Sequence, residues 1–227
     1  MTSKERVGIK LLKRIKNDYV FRAFIFSALS FLITMLFTAY NVFLYIAYKA
    51  VWNIGIAVYY ALLLSIRAYV IFSERKFYKE QLTEEQKENK RKKLFLVQSI
   101  FLFIIDFALI APVALMVLQK KTVTYSTIPA IAVAAYTTYK IVISTINIIK
   151  TRKEPHLSLK ILRTVNFVDA LVSVLTLQYT LIITFGGVMD KEMFILSAVS
   201  SFAIWALLIV LSLKSLFQSV KLKKEHL

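Results

Sequence analysis

Four ionisable side chains, Arg67, Asp106, Lys140 and Asp169, stand inside long apolar runs. At the centre of a membrane helix each costs ~2.5–3.5 kcal/mol, so such groups turn toward a bundle interior or a polar cavity and pair with one another. Two chemistries fit residues of these types. They can hold and neutralise a charged solute or relay a proton, or they can be buried ion pairs that fix helix register. Two cations against two anions leave the interior formally neutral. At 1.5 Å rise, Arg67 and Asp169 lie roughly 9 Å above the cytoplasmic ends of their apolar runs, Lys140 roughly 15 Å and Asp106 roughly 20 Å. Depth therefore pairs Arg67 with Asp169 and Lys140 with Asp106.

Polar residues recur beside these charges at helical steps. In the fifth apolar run Asn166, Asp169, Ser173, Thr176, Thr180 and Thr184 mark one face from end to end. The first run carries Ser27, Ser30, Thr34, Thr38, Asn41 and Tyr45, and the fourth carries Tyr136, Lys140, Ser144 and Asn147. In the second, Asn53, Tyr60 and Arg67 follow one another at intervals of seven. If the four faces converge they line a crevice from Asn41 and Asn53 outside to Asn147 and Asn166 inside. The competing reading is that Ser and Thr bond to their own helix carbonyls and act as glue between helices.

The elements that must position these residues are six apolar helices, expected at residues 21–45, 51–72, 94–118, 127–149, 162–186 and 193–217. With 58% hydrophobic residues in 227, the chain is read as an all-α integral membrane bundle forming a single domain. Residues 1–20 form a basic amphipathic segment and 73–93 a charged loop. In that loop Thr83-Glu84-Glu85-Gln86 reads as a capping box that starts a helix running into the third span. Glu88 to Lys92 has the favourable i,i+4 sense. Gly numbers 4 and Pro 3, so the helices should be largely unbroken, with Pro112 in the third span and Pro129 near the outer start of the fourth as the candidate interruptions. Tyr45, Tyr48 and Trp52 fit an interfacial aromatic belt.

The net charge of +17 would point to nucleic acid in a soluble protein. Its location argues otherwise. Of the 30 Lys and Arg, seven precede or open the first span, eight lie between the second and third, five between the fourth and fifth, and four at the C-terminal end. The other side of the bundle holds only Lys49, Lys120, Lys121 and Lys191. The positive-inside rule then places both termini in the cytoplasm. The basic rim faces anionic lipid headgroups, each cation contributing ~1 kcal/mol there.

The chain has no cysteine, which removes disulfides, thiol nucleophiles and thiolate metal sites, and its two histidines are His156 and His226. It carries no H-E-x-x-H, Walker A, G-x-S-x-G or Gly-rich dinucleotide loop, so neither an enzyme nor a cofactor or metal is expected.

The segments N-I-G-I-A-V-Y-Y-A-L-L-L-S-I-R-A-Y (53–69) and T-V-N-F-V-D-A-L-V-S-V-L-T-L-Q-Y (164–179) resemble multi-pass membrane proteins of Gram-positive bacteria that carry no established activity. The resemblance implies a bacterial plasma membrane and no mechanism. The expected function is binding or passage of a small polar or charged solute or ion. Arg67, Asp106, Lys140, Asp169, Asn166, Ser173, Asn41, Asn53, Tyr60, Ser144 and Asn147 are the candidate pathway residues. The alternative is an accessory or sensor protein that acts through a membrane-protein partner or anionic lipid.

Overall fold

In hydrocarbon a chain segment satisfies its own backbone polar groups only as a helix or in a closed barrel. This chain takes the first route. A computed structural model describes residues 19–80, 83–118, 125–151, 157–185 and 191–224. Residues 1–18 of the basic segment expected at 1–20, and both histidines, lie outside them. The helices are α1 (Tyr19–Tyr48), α2 (Val51–Lys79), α3 (Glu84–Ala108), α4 (Ile110–Leu118), α5 (Thr127–Thr151), α6 (Leu157–Phe185) and α7 (Lys191–Lys224). Among the described residues six are long and apolar enough to cross a membrane, α3 and α4 making one crossing.

Most helices outrun the apolar spans that predict them. α2 continues to Lys79, α6 begins at Leu157 rather than 162, and α7 reaches Lys224. Hydropathy marks where residues are apolar. A helix continues past that point wherever Lys and Arg can lay their stems on apolar surface and hold their charges outside. α3 starts as expected. Thr83 Oγ1 accepts from the Gln86 backbone N–H, and the Gln86 side chain accepts from the Thr83 N–H. Lys92 pairs with Glu88 at 2.8 Å. Of the two candidate interruptions, a break falls near Pro112, whereas α5 runs unbroken through Pro129, which sits in its first turn where no N–H is needed. Proline offers no N–H to the carbonyl of residue 108, and a turn at Leu109 separates α3 from α4. Gly55 of α2 faces this point: a Cβ there would stand 3.3 Å from Pro112 Cβ.

α6 is the central helix and packs against α1, α2, α3, α5 and α7. Of its membrane window 56% is buried, against 17% for α7, which presents Leu196, Val199 and Phe217 outward. Around α6, α5 lies along it, α1 lies along α2, and α3 along α7. The main core joins Leu63 and Leu102 to Val133, Val168 and Leu175. A smaller core of Val70, Phe77, Leu94, Phe95, Ile161 and Leu162 closes the end that bears the α2–α3 connection, called the basic end below.

The aromatic-belt expectation fails at Trp52, which is 1% exposed and stacks on Tyr179 at 5.0 Å between ring centroids. The α1–α2 link turns sharply at Lys49, whose φ of 55° is left-handed. The first turn of α2 is thereby brought against α6 instead of the membrane interface.

A buried ion cluster as the candidate functional site

The polar stripes of α1, α2, α5 and α6 meet in the bundle. Arg67 Nη2 and Lys140 Nζ both donate to the same oxygen of Asp169, Oδ2, each at 2.6 Å. The Thr34 hydroxyl donates to that oxygen at 3.2 Å, and the Tyr136 hydroxyl donates to Oδ1 at 3.1 Å. Ser30 and Thr34 of α1 also accept from both cations: Arg67 Nη1 reaches them at 3.3 and 3.1 Å, Lys140 Nζ at 3.1 and 2.6 Å. Arg67 is 1% exposed, Lys140 2% and Asp169 0%. With all three groups ionised the cluster carries one positive charge in excess.

The helix ends explain why these three residues meet. Arg67 lies twelve residues before the end of α2, Lys140 eleven before the end of α5 and Asp169 twelve after the start of α6. At 1.5 Å per residue all three stand about 17–18 Å from the basic end. Starting α6 at residue 162 made Asp169 look shallower than Lys140 and hid their pairing.

The assignment of Asp106 to Lys140 is therefore corrected. Asp106 sits on α3, which packs against α7 and α2, away from α5. Its Oδ1 accepts from the Tyr59 hydroxyl at 2.5 Å, and its backbone carbonyl accepts from Trp205 Nε1 at 3.1 Å. Among the described residues no Lys or Arg lies within ion-pair distance of it.

The remaining candidates divide by depth. Ser144 and Asn166, both buried, lie one turn toward the basic end from Lys140 and Asp169, and the half-buried Asn147 lies beyond Ser144. Ser173 lies one turn the other way. Its hydroxyl bonds to the Ala170 carbonyl at 2.7 Å, and its own carbonyl accepts from Thr137 Oγ1 at 2.9 Å. Tyr60, Phe37 and Tyr136 cover the cluster on the side away from the basic end, with Phe37 and Tyr136 stacked at 3.6 Å between centroids. Farther out, Asn53 Nδ2 donates to the Tyr125 hydroxyl at 2.6 Å. Asn41 Nδ2 donates to the carbonyl of Phe37 on its own helix at 2.9 Å. Thr38, Thr176 and Thr180 likewise bond to their own helix carbonyls, as the glue reading has it. The stripes converge, and their middle third makes the cluster.

Sequence reasoning placed Ser30, Thr34 and Tyr136 on stripes without naming them as partners of the charges. It missed Glu74 altogether. Glu74 is 1% exposed and accepts from Arg91 Nε and Nη2 at 3.0 and 3.1 Å, and from the Ser158 hydroxyl. The available signal was the seven-residue step of α2, since Asn53, Tyr60 and Arg67 continue to Glu74.

Helices of this number, length and hydropathy make the chain a multi-pass membrane protein, with a charged cluster at the centre of its bundle. Compared with known families, curated proteins and solved structures, the chain matches none.

Proposed function

We propose that the protein binds or passes a small polar solute carrying an acidic group. The site would lie in the polar core between α1, α2, α5 and α6, with the basic end on the cytoplasmic side of a cell membrane. The observation that carries this reading is the convergence of two buried cations on one carboxylate oxygen. An uncompensated charge is expensive in a low-dielectric interior, and an anion held by Arg67 and Lys140 would supply the missing negative charge. Arg67 is a permanent cation with a planar fork suited to oxyanions. Asp169 would orient both cations, and Ser30, Thr34 and Tyr136 would offer hydroxyls. Asn41, Asn53 and Tyr60 on one side and Ser144, Asn147 and Asn166 on the other would line the approach.

The test is a thermal-stability screen of the purified protein against inorganic anions, small carboxylates and neutral polar solutes, run beside Lys140→Gln. A ligand at 100 times its dissociation constant stabilises by roughly 2.7 kcal/mol. The expected result is a shift with an anion that Lys140→Gln abolishes. Shifts with no anion, or equal shifts in both proteins, contradict the reading.

The enclosure of the cluster favours a second reading, in which the charges are structural and the protein serves as an accessory or sensor through a membrane-protein partner or anionic lipid. Under it no solute shifts the melting temperature, and Asp169→Asn simply melts earlier.

A further inference from the structure

Two apolar hollows lie between α2 and the α3–α4 crossing. One, of about 250 Å³, is bordered by Ser65, Tyr69, Val97 and Phe101. The other, of about 300 Å³, is bordered by Gly55, Leu62, Ile105 and Ala108. Positions 58, 62, 65 and 69 on α2 and 97, 101, 105, 108 and 112 on α3–α4 advance by threes and fours, so both hollows fall on one face of each helix. They form one seam, opened where Gly55, Ser65 and Ala108 supply little side chain between bulkier neighbours. Val58, Tyr69, Phe101 and Ala108 are exposed along it. From Val97 to Ala108 the seam rises about 17 Å, close to the depth of one leaflet, half of the roughly 30 Å hydrocarbon core.

The same two faces carry charge at the basic end. Lys76 is seven residues beyond Tyr69, and Lys93 and Lys90 are four and seven before Val97. Lys76 and Lys90 both pair with Glu80, at 3.7 and 2.6 Å, so two ammonium groups meet at one carboxylate, and Lys93 is exposed one turn before Val97. At the charged end of the seam Gln98, next to Val97, borders the first hollow. It is 1% exposed, and neither its amide nitrogen nor its amide oxygen has a partner.

We propose that the seam is a binding site for an anionic phospholipid of the leaflet at the basic end. One acyl chain runs along Val97, Phe101 and Ile105, the Gln98 amide donates to an ester oxygen, and the phosphate sits among Lys76, Lys90 and Lys93. This site shares no residue with the ion cluster and does not depend on the solute reading.

The test places a reporter in the seam. The full-length Phe101→Trp protein is reconstituted in vesicles that mix brominated phosphatidylglycerol or brominated phosphatidylcholine with unbrominated phosphatidylcholine, and its quenching is measured in excess of that of the wild-type protein, which carries only Trp52 and Trp205. A cation near the surface contributes ~1 kcal/mol toward an anionic lipid, so the expected preference for phosphatidylglycerol is on the order of fivefold or more. Replacing Lys76, Lys90 and Lys93 with Gln should reduce it to parity, and Ser65→Leu with Ala108→Leu should lower quenching by both lipids. Lys140→Met, which removes a cation of the solute site, should leave the preference intact, which separates this site from the solute site. Equal quenching by the two lipids, or a preference that survives loss of the three lysines, overturns the proposal.

Discussion

Asp169 and Asp106 are the same residue type, both fully buried in the apolar part of the bundle, and their surroundings differ completely. Asp169 on the central helix receives two cations and two hydroxyls from α1, α2 and α5. Asp106 on the α2–α3–α7 side receives the Tyr59 hydroxyl and, among the described residues, no cation. The difference follows from where each helix runs. α6 touches every neighbour that carries a polar stripe facing the interior, whereas α3 faces the largely apolar α7. A buried charge is stabilised by the partners its helix can reach, so the consequences of removing it depend on position in the bundle more than on residue type.

This contrast can be broken by mutation, and the largest effect belongs to the cluster. Asp169→Asn leaves two cations buried without a countercharge, which costs about 3–5 kcal/mol for a broken buried pair. Asp106→Asn keeps an acceptor for Tyr59 and strands no cation, so its melting temperature should stay close to wild type. Equal losses in the two variants, read by thermal unfolding in detergent, would erase the distinction. Tyr59→Phe removes the hydroxyl that donates to Asp106 Oδ1 and should cost about 1–3 kcal/mol, the desolvation penalty of an unmatched buried polar group. Away from both sites, Thr83→Ala removes the capping box and should cost about 1 kcal/mol. Faster amide exchange over residues 84–87 would report it.

The smallest effect is electrostatic and lies outside the membrane windows. A hydrogen bond from Lys90 holds the Glu80 carboxyl below its ordinary value, with the Lys90 and Lys76 charges adding to it. A carboxylate with a lower pKa in the folded than in the unfolded state stabilises above the unfolded value. That contribution is lost as pH falls through the lowered folded value. Comparing wild type with Glu80→Gln across the acidic range should show the two melting curves converging as pH drops.

Much of this was legible in the chain itself. The six runs, the capping box at Thr83, the break near Pro112 and the Arg67–Asp169 pair all follow from local composition, spacing and depth. Lys140 was misassigned because hydropathy sees the apolar part of α6 and not the turn of helix between Leu157 and Leu162. That turn shifts the apparent height of Asp169 by about 7–8 Å. Trp52 was misplaced because aromatic residues near a helix end look alike whether they face lipid or a neighbouring helix, and the turn at Lys49 decides which. Glu74 was passed over as one more charge in a charged loop, although the seven-residue step from Arg67 placed it on the inward face. The α2–α3 seam was illegible, since a hollow depends on which small residues of two helices come opposite each other.

The central claim is that Asp169 is, among the described residues, the shared countercharge of two cations. The most direct measurement is a double-mutant cycle on thermal stability with Asp169→Asn, Lys140→Met and the two combined. Lys140→Met by itself leaves Arg67 and Asp169 as a balanced pair and should change stability little. Asp169→Asn should be strongly destabilising, and adding Lys140→Met should recover about 1–3 kcal/mol, within the range of coupling between residues in contact. A double variant whose loss equals the sum of the two single losses would contradict the shared-countercharge account.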